Sequence, residues 1–273
     1  MGFTAEDAKD AEVLFFMTRA TLETIGIVTA LFVCAAAPAA AQPIAVAAAS
    51  DLQVVFPELA ARFERETGRK VALTFGSSGN FFAQIQNGAP FDLFFSADLD
   101  YPQRLEAAGL AERGSARQYA TGRIVLWTRK DSGVDIGQGL QALTAARVRR
   151  IAIANPEHAP YGRAAVAALR HEKVYDAVRG KLVLGENISQ AAQFVQSGNA
   201  DVGVLALSLA LSPALRDTGT TYRIPASSHP PIAQAAVILA ASRQKDAGRQ
   251  FLEFLRRADI ARIMGEFGFA RQD

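Results

Sequence analysis

From residue 44 to residue 267 the chain alternates short apolar runs with amphipathic stretches, and nothing else in the sequence constrains the fold so strongly. IAVAAA (44–49) reads as a buried strand, and 54–66 carries apolar residues at helical spacing up to Gly68. The same reading gives strands at 71–75 and 93–96 and helices at 81–87 and 102–108. Further on it gives strands at 124–128, 151–154, 181–184, 202–206 and 235–240, with helices at 163–170, 189–196, 248–256 and 259–267. Such alternation predicts an α/β fold of mostly parallel sheets flanked by helices. Two stretches of small, polar or proline-rich residues, YATG (119–122) and ASSHPP (226–231), are the best places for the chain to cross between lobes. Residues 42–121 and 226–273 would then form one lobe and 122–225 an inserted second one, with a ligand cleft between them.

The N-terminus is set apart from this pattern. Residues 25–37 (IGIVTALFVCAAA) form an apolar run of 13, too short to span a bilayer. Met17 and Arg19 precede it, and Ala39-Ala40-Ala41 supplies a small-residue cleavage pattern ahead of Gln42. Residues 1–41 therefore read as a secretory signal peptide, which places the mature protein in a periplasm. The acidic residues 1–16 suit such a leader poorly, so translation is expected to start at Met17. The single cysteine, Cys34, falls in the leader, which leaves residues 42–273 without thiol chemistry or disulfides. The leader carries 2 basic and 5 acidic residues, leaving 27 basic and 22 acidic, a net +5. That mild excess and the lack of any Lys/Arg run exclude an evident nucleic-acid footprint.

Two loops follow strands and open helices with small residues: Ala49-Ser50-Asp51 and Gly76-Ser77-Ser78-Gly79. In open α/β sheets ligands sit beyond the carboxyl ends of strands. A helix start there offers peptide N–H groups without partners and a dipole favouring negative charge. Serines add hydroxyl donors, and glycines allow close approach. Two such loops aimed at one point would hold a small oxyanion without a cationic side chain. Either loop taken singly is equally well explained by helix capping.

Other chemistry is sparse. The second loop lacks the G-K-[ST] of a phosphate-binding loop and the spacing of a nucleophile elbow. His158, His171 and His229 have no helical partner at i+4 and read as solvent-facing or supporting residues, so no metal site is expected. The pairs Asp98/Asp100 and Glu64/Glu66 read as caps and solvated charges, and Trp127 as packing.

Several segments together resemble the periplasmic molybdate-binding proteins of ABC transporters. They are IAVAAASDL (44–52), VALTFGSSGNFFAQIQNGAPFDLFFSAD (71–98), ANPEHAPYGRAA (154–165), LGENISQAAQFVQSGNADVGVLALS (184–208), PIAQAAVIL (231–239) and FLEFLRRADIARIMGEFGF (251–269). The likeness covers nearly all of residues 42–273. It implies a two-lobed type II binding-protein fold that captures molybdate or tungstate and hands it to an inner-membrane permease. It further implies a monomer with no catalysis and no cofactor beyond the carried ion. Matched by position, Ser50 and Asp51 fall on the first anion loop, Ser77 and Ser78 on the second, and Tyr161 and Ile188 on helix starts of the inserted lobe. Ser50, Ser78, Tyr161 and Ile188 would meet molybdenum only through the oxide oxygens, with no direct ligation of metal.

Two departures from the family matter. Where some members have a contributing tyrosine this chain has Ala206, and Tyr161 is expected to supply the phenol instead. Asp51 stands where members carry an uncharged residue, and its carboxylate would repel a dianion. It is expected to turn away and cap its own helix. Pointing inward, it would accept a hydrogen bond from a protonated anion, which favours phosphate. The rivals are therefore a sulfate- or phosphate-binding protein and, from another class, a secreted hydrolase using Ser78 with a nearby histidine.

Overall fold

A computed structural model describes residues 42–270; the leader, its cleavage pattern and Cys34 lie outside the described residues. Ten strands run in chain order: β1 (Ile44–Ala49), β2 (Val71–Gly76), β3 (Leu93–Ser96), β4 (Arg117–Gly122), β5 (Ile124–Arg129), β6 (Ile151–Ala154), β7 (Leu182–Gly185), β8 (Val202–Ala206), β9 (Gly219–Arg223) and β10 (Ile232–Ile238). They form two five-stranded sheets, ordered β2-β1-β3-β10-β4 and β7-β6-β8-β5-β9. The chain changes sheets at Arg123 and again between β9 and β10, where a 3-10 turn spans Ala226–Ser228.

Around the first sheet lie α1 (Phe56–Thr67), α2 (Ser78–Gln86) and α3 (Asp100–Ala107). The second sheet carries α4 (Pro160–His171), α5 (Tyr175–Val178), α6 (Ile188–Gln196) and α7 (Leu207–Ala210). The last two helices, α8 (Lys245–Leu255) and α9 (Ala258–Glu266), return to the first.

The sheets are mixed rather than mostly parallel. β1 pairs in parallel with β2 and β3, and β6 with β7 and β8. β10 runs antiparallel to β3 and β4, and β5 antiparallel to β8 and β9. The antiparallel strands are those at the sheet changes, which enter each sheet without a helical crossover. β4 and β9 escape a reading by apolar runs because they are edge strands with polar residues and one open side.

The central strands show why their sequences are apolar throughout. Along β1, Ile44, Val46 and Ala48 face one side of the sheet and Ala47 the other, so both faces are buried. One side is filled by aromatic edges: Phe251 meets Phe63 at 5.1 Å and Phe56 at 6.3 Å, and Phe56 meets Phe95 at 5.0 Å, all edge-on. In the second lobe Trp127 is fully buried among the core residues of β5, β6 and β8.

Three helices start three residues earlier than their apolar periodicity indicates: α8, at Lys245, and the two at the cleft, α2 and α4. Ser77 caps α2, its hydroxyl accepting the Asn80 N–H at 3.3 Å. Pro160 opens α4, a position where its fixed φ suits the helix and its missing N–H costs nothing. These early starts put Ser78 and Tyr161 into first turns. Phe251→Ala, emptying the centre of the aromatic cluster, should cost about 3–5 kcal/mol in denaturant unfolding; a loss below about 1 kcal/mol would contradict this packing.

Candidate functional site

All six residues expected to contact an anion line one cleft between the two sheets: Ser50, Asp51, Ser77, Ser78, Tyr161 and Ile188. No Lys, Arg or His lines it. A larger cavity is walled by apolar side chains such as Phe56, Leu255, Met264 and Phe269. It offers no set of convergent donors, so the smaller cleft is the candidate anion site.

Three helix starts meet at this cleft, and the use of their first-turn N–H groups can be followed one by one. In α2 the Asn80 N–H goes to Ser77 Oγ, the Phe81 N–H to the Ser77 carbonyl, and the Gly79 N–H crosses the cleft to the His158 carbonyl at 2.8 Å. The Ser78 N–H is left. In α6 Asn187 Oδ1 accepts from Ser189 and Gln190, each at 3.0 Å, and the Asn187 carbonyl accepts from Ala191. The Ile188 N–H is left. In α4 Pro160 has no N–H, and those of Gly162 and Arg163 go to the Ala159 carbonyl. The Tyr161 N–H is left. Among the described residues, each of these helices thus keeps one first-turn N–H without a protein acceptor, and each belongs to a cleft-lining residue.

Hydroxyls add to these. Ser78 Oγ accepts the Ala97 N–H at 2.9 Å, which leaves its proton to donate. Ser50 Oγ accepts weakly from the Ser189 N–H at 3.4 Å and likewise keeps its proton. Ser77 differs: its Oγ lies 2.9 Å from Nδ1 of His158, making a contact across the cleft. His158 is therefore a cross-lobe residue rather than a solvent-facing one. The histidine sits on Ser77, not on Ser78, and among the described residues no carboxylate is paired with it, so the arrangement expected of a hydrolase using Ser78 is not assembled there. The rim is closed by Asn80 Nδ2 donating to Glu186 at 2.9 Å and by an Arg163–Asp98 ion pair. Asp98 also caps α3 through the Tyr101 N–H, whereas Glu64 and Glu66 pair with Lys70, Arg62 and Arg257 on the surface.

Asp51 does not behave as expected. It makes no side-chain cap on the 3-10 turn it occupies, Ser50–Val54. Its Oδ2 accepts instead from the Tyr161 hydroxyl at 2.9 Å and from Nε2 of Gln234 at 2.5 Å. The same Nε2 lies 2.9 Å from the Tyr161 hydroxyl, and Tyr119 donates to the other end of the Gln234 amide at 2.7 Å. The tyrosine phenol is thus committed to Asp51, and the group of Tyr161 left without a protein partner is its N–H. Oδ1 of Asp51 is buried with no hydrogen-bond partner. Burial pushes this carboxyl up to about 6, against the opposing hydrogen bonds from Gln234 and Tyr161.

Relatives share this architecture over nearly its full length. Residues 44–270 match the family model described as bacterial extracellular solute-binding protein. The molybdate-binding protein ModA of Azotobacter vinelandii is 38% identical over 242 residues, 89% of this chain and 94% of its own. That of Rhodobacter capsulatus is 35% identical, covering 92% of this chain and 98% of its own. The solved periplasmic molybdate-binding protein of A. vinelandii superposes with a TM-score of 0.79 at 35% identity, covering 84% of this chain and 99% of its own. The chain belongs to the bacterial extracellular solute-binding proteins.

For a solute-binding protein, the residues that hold the cleft in shape matter as much as those lining it. Gln234, Tyr119, His158 and Ser208, whose hydroxyl donates to the Asp51 carbonyl at 2.9 Å, were not singled out from sequence as site residues. Gln234 alone left a trace, being the one polar residue in the otherwise apolar run of β10. Among the described residues no cluster of three or more His, Cys, Asp or Glu side chains could hold a metal ion, and no helix is long and apolar enough to cross a membrane.

Asp51 gives this site a pH signature. Because its carboxyl is raised in the folded state, the folded protein holds a proton that the unfolded chain releases near 4. Its contribution to stability is therefore complete below about pH 4 and lost as pH rises through about 6, a change of about 3 kcal/mol. Asp51→Asn, which keeps the shape without the charge, should gain on the wild type across that window in urea unfolding. A stability difference that stays flat with pH would refute the buried carboxyl.

Proposed function

We propose that the protein captures molybdate or tungstate in this cleft, without chemical conversion, and presents it to an ABC permease. The observation that carries this reading is that a cleft lined by no cation is lined by three residues whose peptide N–H has no protein acceptor and by two serines whose hydroxyls are not seen donating. A bare tetrahedral dianion needs only donors, and these come from helix starts that are fixed within each lobe. Each charge-assisted bond contributes about 1.5–3 kcal/mol, so five of them reach sub-micromolar affinity after the costs of closure when they lie toward the upper end of that range. The relatives named for molybdate binding match this chain over most of its length, and the solved one shares its fold, which supports the same cargo here.

Secretion through residues 1–41 and action as a monomer belong to this reading, as does hinge motion between lobes 42–121 with 226–273 and 122–225. Gly79 supports closure: a Cβ there would lie 2.6 Å from the His158 carbonyl oxygen, across the cleft. Gly79→Ala, whose methyl would also crowd the Tyr101 hydroxyl in its own lobe at 2.7 Å, should therefore weaken molybdate binding at least tenfold in calorimetric titration. Unchanged affinity would mean that the cleft does not close on its ligand in this way.

One observation favours a second reading. Asp51 is a cleft-lining residue whose Oδ1 is buried without a partner, and an anion that carries its own proton, such as hydrogen phosphate, would satisfy that oxygen on reaching it. Titration with molybdate, tungstate, sulfate and phosphate separates the two. The proposal expects the first two to bind at least a hundredfold tighter; preference for sulfate or phosphate overturns it.

A further inference from the structure

The Asp51 carboxyl is the one feature of the cleft that an all-donor anion site does not require. Oδ2 already accepts two hydrogen bonds, from Tyr161 and Gln234, and cannot also carry a proton. Oδ1 is buried and has no donor to satisfy it. A buried carboxylate oxygen left this way is costly, and it becomes more so when a dianion enters the same cleft.

The groups facing Asp51 offer no compensating charge. On β4 and α4 stand Tyr119 and Tyr161, whose phenols are pushed further up by burial and by Asp51 itself, and so remain neutral. β10 presents the neutral Gln234, α7 the hydroxyl of Ser208, and α6 the uncharged Ile188 and Ser189. At the start of α2, Ser77 and Ser78 are uncharged, and His158 is turned onto Ser77.

We propose that capture of a doubly charged oxyanion takes up one proton from solvent, held on Oδ1 of Asp51 and donated from there to an oxygen of the anion. The balance is simple: one carboxylate, one proton and one dianion become one neutral carboxyl hydrogen-bonded to the dianion, and the proton is returned when the anion leaves. Asp51 then stops being an acceptor in a donor-only cleft and becomes its sixth donor. The proton also explains how a residue that repels anions can stand in an anion site. This inference rests on the molybdate reading and extends it to a linkage between cargo and pH. Hydrogen phosphate, bringing its own proton to the same oxygen, would take up none.

The experiment is calorimetric titration of the protein with molybdate near pH 7.5 in buffers of different ionisation enthalpy. Close to one proton should be taken up per anion, and the Kd should weaken about tenfold for each pH unit above about 6. In Asp51→Asn the uptake should vanish and the Kd become independent of pH, because the amide supplies a permanent donor. Molybdate binding by the wild type with no proton uptake overturns the inference and leaves the functional reading standing. Undiminished uptake in the variant also overturns it, since the proton then sits elsewhere. Failure of molybdate to bind at any pH overturns both. If the variant does not fold, infrared difference spectra of the wild type decide: molybdate should bring up the carbonyl stretch of a protonated carboxyl, and its absence defeats the inference.

Discussion

Three helices begin at one place, and each arrives with a peptide N–H that its own turn cannot use. Helix geometry makes such groups unavoidable, and burying them away from water is costly unless something accepts them. Capping by Ser77, Asn187 and the Ala159 carbonyl removes most of the surplus in these first turns. What survives is one donor per helix, at Ser78, Tyr161 and Ile188, all lining the same cleft. The cleft is thus defined less by side-chain chemistry than by what the backbone leaves over. The strand order matters for the same reason: β1 and β2 in one sheet, and β6 and β7 in the other, run parallel and end at the helix starts.

Asp51 connects this donor set to the places where the chain changes sheets. Its Oδ2 joins Tyr161 of the second lobe to Gln234 of β10, and Gln234 in turn holds Tyr119 on β4. β4 and β10 are the strands flanking the two changes of sheet, so the network spans both. A charge placed here is felt by the lobe contact and by the ligand space together. That coupling gives a single carboxyl more influence than one hydrogen bond would have at the surface, where solvent screens it.

Local signals and long-range ones fared differently. The central strands were legible because burial on both faces demands unbroken apolar runs, as in IAVAAA and LFFS. Edge strands β4 and β9 were not, since one open side lets polar residues in. β5 and β10 were legible as strands but their antiparallel direction was not, because alternation of element types says nothing about direction once a connection skips its helix. At the site, small residues at helix starts marked Ser50, Ser77 and Ser78 directly, whereas Tyr161 and Ile188 came from likeness to a family. Nothing local marked His158 as a partner of Ser77, 81 positions away in the chain.

The sequence by itself determined the element order, the small-residue helix starts and the absence of any cationic motif around them, because those depend on neighbours a few residues apart. Only the tertiary structure decided where the Asp51 carboxyl points. That direction is set by Tyr161 and Gln234, 110 and 183 residues distant, which offer its Oδ2 two donors inside a buried cleft and leave its own turn nothing better to hold.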